Sequence, residues 1–132
     1  MVWTGTEMII WGGSNGGDAP NYSDGGAYNP TSDSWRYISA PNMGARRANF
    51  YVWTGTEMLL WGGWNPSVNY SDGMRYDPAT DTWSPMATYP GNAHEGFFTW
   101  TGTEMLIFGG HTGDRNVYGY TPPKRLFVYT RP

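Results

Sequence analysis

Residues 48–63 read ANFYVWTGTEMLLWGG. Two short runs, Phe50-Tyr51-Val52-Trp53 and Met58-Leu59-Leu60-Trp61, are rich in β-branched, aromatic and long apolar side chains. They flank Thr54-Gly55-Thr56-Glu57, a turn string whose glycine readily takes positive φ. The stretch predicts a tight β-hairpin. Neither run alternates apolar with polar, as a sheet with one wet face would. Both faces of this sheet must therefore be covered.

The same words recur along the chain. WTGTEM stands at Trp3–Met8, Trp53–Met58 and Trp100–Met105, each time followed by two apolar residues, an aromatic and Gly-Gly. A second block, NYSDG, stands at Asn21–Gly25 and Asn69–Gly73, followed by Tyr28 or Tyr76 and by a Pro-x-x-Asp-x-Trp ending at Trp35 or Trp83. The period is about 48 residues, and a repeat of that length decides the architecture before any single residue does. In the second unit Gly73–Tyr76 reads as a third strand, Asp-Pro-Ala-Thr as a turn and Thr82–Met86 as a fourth strand. Four-stranded sheets stacked face to face by radial repetition supply cover on both sides, whereas solenoid repeats are usually shorter.

Composition agrees with an all-β chain. Among 132 residues are 19 Gly, 10 Pro, 8 Trp and 10 Tyr against 14% charged residues, a mixture of turns and flat side chains that favours short strands. The length suits a single domain, with repeat units at approximately 1–45, 46–91 and 92–132. A net charge of −3 with no basic stripe argues against nucleic acid. The absence of cysteine excludes disulfides, thiolate metal sites and thiol nucleophiles and leaves the compartment open. No apolar run approaches the roughly 20 residues of a membrane helix, so no membrane partner is expected. No signal peptide is visible at Met1, although a longer, secreted parent could carry one.

The ordered set of an apolar strand ending in Gly-Gly, then Tyr, then a Trp seven residues beyond it resembles the kelch repeat, with Gly12-Gly13, Tyr28 and Trp35 in one unit and Gly62-Gly63, Tyr76 and Trp83 in another. The wording of the copies is similar to bacterial kelch proteins. The resemblance implies an all-β architecture of kelch-type β-propeller blades, each a four-stranded antiparallel sheet, forming an incomplete ring of about 2.75 blades and about 11 strands. The shortfall is placed at the ends: Val2 begins the first unit inside its innermost strand, and in the third unit Leu126–Tyr129 supplies a third strand, with Tyr129 in the place of Tyr76 and no fourth strand. Terminal blades would expose more aromatic surface than a soluble monomer tolerates. The expected partners are copies of the chain itself, as a homo-oligomer, or the remaining blades of a parent chain.

Kelch proteins bind ligands with loops at one end of the propeller, and the resemblance carries that location over to two stretches per unit. Entering the innermost strand are Arg46, Arg47 and Asn49 and, by register, His94, Glu95 and Gly96. After Gly-Gly come Ser14 and Asn15, Trp64 and Asn65, and His111 with Thr112. These positions differ between copies while the framework does not, as function grafted on a scaffold should. Each has a structural alternative: Arg46 matches an arginine that often packs or hydrogen-bonds between kelch blades, and two separated histidines are more often satisfied or solvent-facing than metal ligands. Trp64 alone of the eight tryptophans lies outside the repeat and offers a stacking surface.

Catalysis is not expected. Glu7, Glu57 and Glu104 recur in the hairpin turn, where carboxylates can accept turn amides, and Asp24 and Asp72 sit in Ser-Asp-Gly turns with local hydrogen bonding. Calcium around Asp18–Asp24 would find too few carboxylates. Galactose-oxidase-like kelch enzymes need a cysteine cross-linked to tyrosine, and sialidase propellers carry a different Asp spacing from Asp33-Ser34-Trp35 and Asp81-Thr82-Trp83. The reading is a non-catalytic interaction module, without cofactor or metal, that binds a protein, peptide or glycan through rim loops. A piece of a propeller enzyme and a purely architectural fragment are the alternatives.

Overall fold

The computed structural model describes residues 1–16, 20–88, 96–109, 116–123 and 125–129. All of its regular structure is β. The first sheet holds β1 (Val2–Trp3), β2 (Met8–Trp11), β3 (Gly25–Asn29) and β4 (Ser34–Tyr37) in sequential antiparallel order. The second holds β5 (Phe50–Trp53), β6 (Met58–Trp61), β9 (Gly73–Asp77) and β10 (Thr82–Pro85), with a short hairpin, β7 (Trp64–Asn65) and β8 (Val68–Asn69), rising from the loop after Gly62-Gly63. The third holds β11 (Phe97–Trp100), β12 (Met105–Phe108), β13 (Val117–Thr121) and β14 (Arg125–Tyr129). The first strands, β1 with β5 and β5 with β11, approach one another, so the sheets fan out from a common inner edge.

The third sheet corrects the sequence reading. Its third strand is β13, where Tyr120 stands opposite Met105 as Tyr76 does opposite Met58 and Tyr28 opposite Met8. Leu126 to Tyr129 belong instead to a fourth strand, in which Leu126 faces Tyr120 as Trp83 faces Tyr76. Three sheets are thus four-stranded, in place of the expected 2.75 blades. Lacking NYSDG and a closing Trp, and with Gly119 interrupting its apolar run, β13 carried no signal that distinguished it from a long loop.

Each Thr-Gly-Thr-Glu turn closes the same way. Thr4, Thr54 and Thr101 donate their amides to the carbonyls of Glu7, Glu57 and Glu104, each at 3.0 Å, and their Oγ1 atoms accept from the Glu amides at 2.9, 2.9 and 3.2 Å. Gly55 supplies the required φ of 104°. Because threonine takes the turn amide, the Glu carboxylates are available elsewhere, contrary to expectation. Glu7 accepts from Arg36 at 3.2 and 2.8 Å, Glu57 from Arg75 at 3.1 and 3.0 Å, and Glu104 from the Tyr129 hydroxyl. Arg36 holds the Glu7 carboxyl below its usual range, chiefly through these hydrogen bonds.

Burial divides the sheets as the hairpin predicts. In β6 all four of Met58, Leu59, Leu60 and Trp61 are fully buried, each worth about 1.5–3 kcal/mol of transfer free energy. Met58, Leu60 and Tyr76 pack against Ile9, Trp11, Ile38 and Met43 of the first sheet and its exit. On the other face Leu59, Trp61 and Met86 pack against Met105, Ile107 and Tyr120. In β2 and β12, by contrast, burial alternates residue by residue, because only one face of each has a neighbour.

Tyr76 and Tyr120 are both inaccessible to solvent, and desolvation pushes each phenol up to about 12. A raised folded value means that their contribution is complete below the unfolded value of 10.0 and is lost as pH climbs through 12. Urea midpoints should therefore hold steady to about pH 9 and fall between pH 10 and 12, by an amount on the order of 2–3 kcal/mol per phenol at most. A midpoint unchanged across that window would show that both phenols reach water.

Candidate binding rim

At one end of the arc the entry to β5, the exit of β6 and the β7–β8 hairpin meet a loop of the first sheet. Arg47 and Trp64 form an isolated antiparallel bridge, each donating its amide to the other's carbonyl at 2.9 Å. The Arg47 guanidinium lies over the Trp64 ring, 4.1 Å from its centroid, and one nitrogen donates to Ser14 Oγ at 3.2 Å. Asn21 Nδ2 donates to the Trp64 carbonyl at 3.0 Å. Arg47, Trp64 and Ser14 are all half-buried, so a planar cation, an indole and a hydroxyl share one accessible patch.

Arg46, next in the chain, points the opposite way and is fully buried. Its guanidinium donates to Asp72 at 2.6 and 3.2 Å and to the carbonyls of Gly62 at 3.2 Å and Gly44 at 3.0 Å, and it lies 3.6 Å from the centre of the Tyr70 ring. Asp72 is thus an ion-pair partner, where a local turn contact was expected. Asn65 shapes the hairpin, its Oδ1 accepting from the Ser67 and Val68 amides at 2.9 and 2.8 Å and its Nδ2 donating to the Tyr70 hydroxyl at 2.8 Å. Neither Arg46 nor Asn65 presents its polar atoms to the patch.

Asn49 is buried beneath it. Its Nδ2 donates to the Tyr51 hydroxyl at 3.0 Å, which in turn donates to the Trp11 carbonyl of the first sheet. The Asn49 Oδ1 has no hydrogen-bond partner among the described residues. The backbone here leaves little slack: Ala48 sits at φ 55°, rare for a side chain with a Cβ. A Cβ on Gly63, at φ 86°, would meet Asn49 Oδ1 and the Arg47 carbonyl.

His94, Glu95 and His111, with Thr112, lie outside the described residues; at Gly96 an added Cβ would meet the Phe108 carbonyl and the Gly109 backbone. The structure thus brings together Arg47, Trp64, Ser14 and Asn49 of the sequence candidates, and adds Asn21. Asn21 belongs to the repeated NYSDG, which made it look like framework. Among the described residues no three His, Cys, Asp or Glu side chains are placed to hold a metal ion, and no helix is long and apolar enough to cross a membrane.

Fan-like stacking of four-stranded antiparallel sheets defines the fold: the described residues form an arc of propeller blades of the kelch type. The family model of the kelch motif matches residues 54–88, from the hairpin turn through β10. The chain is similar in fold to the solved structure of YjhT, with a TM-score of 0.77 at 16% identity over 95% of this chain and 49% of that one. It therefore spans about half the length of YjhT. No curated protein gives a significant match to the sequence.

Proposed function

We propose that this arc is part of a non-catalytic interaction module that takes a protein, peptide or glycan on the rim around Arg47 and Trp64. The observation that carries the reading is the stack itself. The tryptophan outside the repeat is held half-exposed beside an arginine, on a bridge that fixes both backbones. A guanidinium on an indole offers a flat apolar face next to a directional donor, which suits a carboxylate-bearing peptide or an acidic sugar.

The test is a panel of acidic and neutral peptides and glycans, followed by titration calorimetry of the hits with Arg47→Ala and Trp64→Ala. Each substitution should weaken binding at least tenfold. Arg47→Ala should leave the circular dichroism and the unfolding midpoint within about 1 kcal/mol of wild type, since the lost stack is a partly exposed one. Hits that bind both variants as tightly as wild type would refute the rim assignment, and a panel with no hit would favour a purely architectural arc.

A further inference from the structure

The loop by which the first sheet reaches the rim carries an Asn-Gly step, Asn15-Gly16. We propose that this step modifies itself: the Asn15 amide is lost as ammonia, and a carboxylate, in part as isoaspartate, appears beside the Arg47–Trp64 stack.

The reaction needs water and no catalyst. The backbone nitrogen of Gly16 gives its proton to solvent and bonds to Cγ of Asn15, while the bond from Cγ to Nδ2 breaks. Nδ2 takes up a proton and leaves as ammonia, and a cyclic imide joins the two residues. Water then adds to one of the two ring carbonyls and opens the ring. Attack at Cγ gives aspartate, and attack at the backbone carbonyl gives isoaspartate. One water is consumed, one ammonia is released, and nothing is oxidised or reduced.

Ring closure is obstructed by a Cβ on the residue that supplies the nitrogen, and glycine has none. At Gly16 the space is open as well: φ is 87°, and a Cβ built there would meet nothing within 4 Å. Asn15 and Gly16 are both exposed, so water can enter and ammonia can leave. Neither belongs to a strand. The Gly16 amide donates to Ser14 Oγ at 3.3 Å, beyond the usual N–H···O distance of about 2.9–3.0 Å, which is a weak restraint on the attacking nitrogen. Every other asparagine of the chain is followed by proline or by a residue that carries a Cβ. The reaction should therefore be confined to one place.

That place bears on the rim. Ser14 and Asn21 close the loop through an antiparallel bridge, and both ends of it touch the second sheet. Ser14 Oγ accepts from Arg47 at 3.2 Å, and Asn21 Nδ2 donates to the Trp64 carbonyl at 3.0 Å. Aspartate in place of Asn15 adds one negative charge to a chain of net charge −3, a single residue from the hydroxyl that holds Arg47. Isoaspartate also lengthens the backbone by one carbon between two pinned ends. Either product disturbs the support of the stack, and an acidic ligand would meet a new like charge. Only that last effect rests on the proposed rim function; the modification itself does not.

The purified chain, kept for several weeks at physiological temperature in mildly alkaline buffer, should be sampled by peptide mass mapping, with isoaspartate scored by enzymatic methyl labelling. The peptide holding Asn15 should gain one mass unit at least tenfold faster than the peptide holding Asn69, which is equally exposed but precedes Tyr70. Asn15→Gln should abolish the gain. Nuclear magnetic resonance reads the coupling without any ligand: the Trp64 indole N–H, assigned with Trp64→Phe, should shift in the aged protein and in Asn15→Asp, while that of Trp61 stays in place. Asn15 reacting no faster than Asn69, or a mass gain that survives Asn15→Gln, would overturn the site. A Trp64 resonance that does not move in the fully modified protein would overturn its link to the rim.

Discussion

Replacement of Trp61 by alanine is expected to cost about 3–5 kcal/mol, a large share of the net stability of a domain. The residue is fully buried between the second and third sheets, 6.3 Å from the Tyr120 ring centroid. Its indole N–H is committed too, donating to the Ser71 carbonyl at 3.0 Å. Truncation would leave a void lined by Leu59, Met105 and Tyr120 and strand that carbonyl. Gly73 faces the indole so closely that a Cβ there would meet Cδ1 at 2.7 Å, so the surroundings are shaped to this ring and have little means of collapsing onto the gap. Urea unfolding followed by circular dichroism reads the loss, and Trp61→Phe, which keeps most of the volume, should retain at least half of it. A loss below about 1 kcal/mol for alanine would mean that the two sheets do not depend on each other.

Arg46→Ala is the second large effect, with about 2–4 kcal/mol expected on the same measurement. Four groups lose a donor at once: the carbonyls of Gly44 and Gly62 and both oxygens of Asp72. The carboxylate half of the pair is 48% exposed and can be rehydrated, which keeps the loss below that of a wholly buried ion pair. What remains is the cavity against Tyr70 and the loss of the tie that positions the start of β5. The contrast with its neighbour is the informative part. Arg47→Ala should barely move the midpoint, so equal losses at 46 and 47 would contradict the opposed placement of the two side chains.

That pair also marks the limit of what the chain discloses before folding. Two adjacent arginines entering a strand look equivalent, and the left-handed turn at Ala48 that follows them has no signature in the residue itself. The hairpins were legible because glycine and threonine have few other uses between two apolar runs. The two-sided burial of β6 was legible because four consecutive large apolar side chains have nowhere wet to go. The third sheet was not, since its closing tryptophan is replaced by Leu126 and its third strand is split by Gly119. The partners of the recurring glutamates were hidden for a related reason: Arg36 lies on β4 but Arg75 on β9, so the repeated acid meets its cation from a different strand in each blade. Repetition reveals what stays fixed and conceals such substitutions of one strand for another. On the rim, Asn21 came to light only when its side chain was seen to reach across to the next blade.

The self-sufficient turns have a kinetic consequence. Thr54, Gly55 and Glu57 close their loop with groups only three residues apart, as do their counterparts in the other two sheets, and ask nothing of a distant segment. Hairpins of this kind form in microseconds, well ahead of long-range docking. The slow event is then the sorting of pre-made, look-alike leaves into sequence, and near-identical wording at Trp3–Met8 and Trp53–Met58 makes a mistaken exchange between them, or between two nascent chains, the characteristic error of refolding at high concentration.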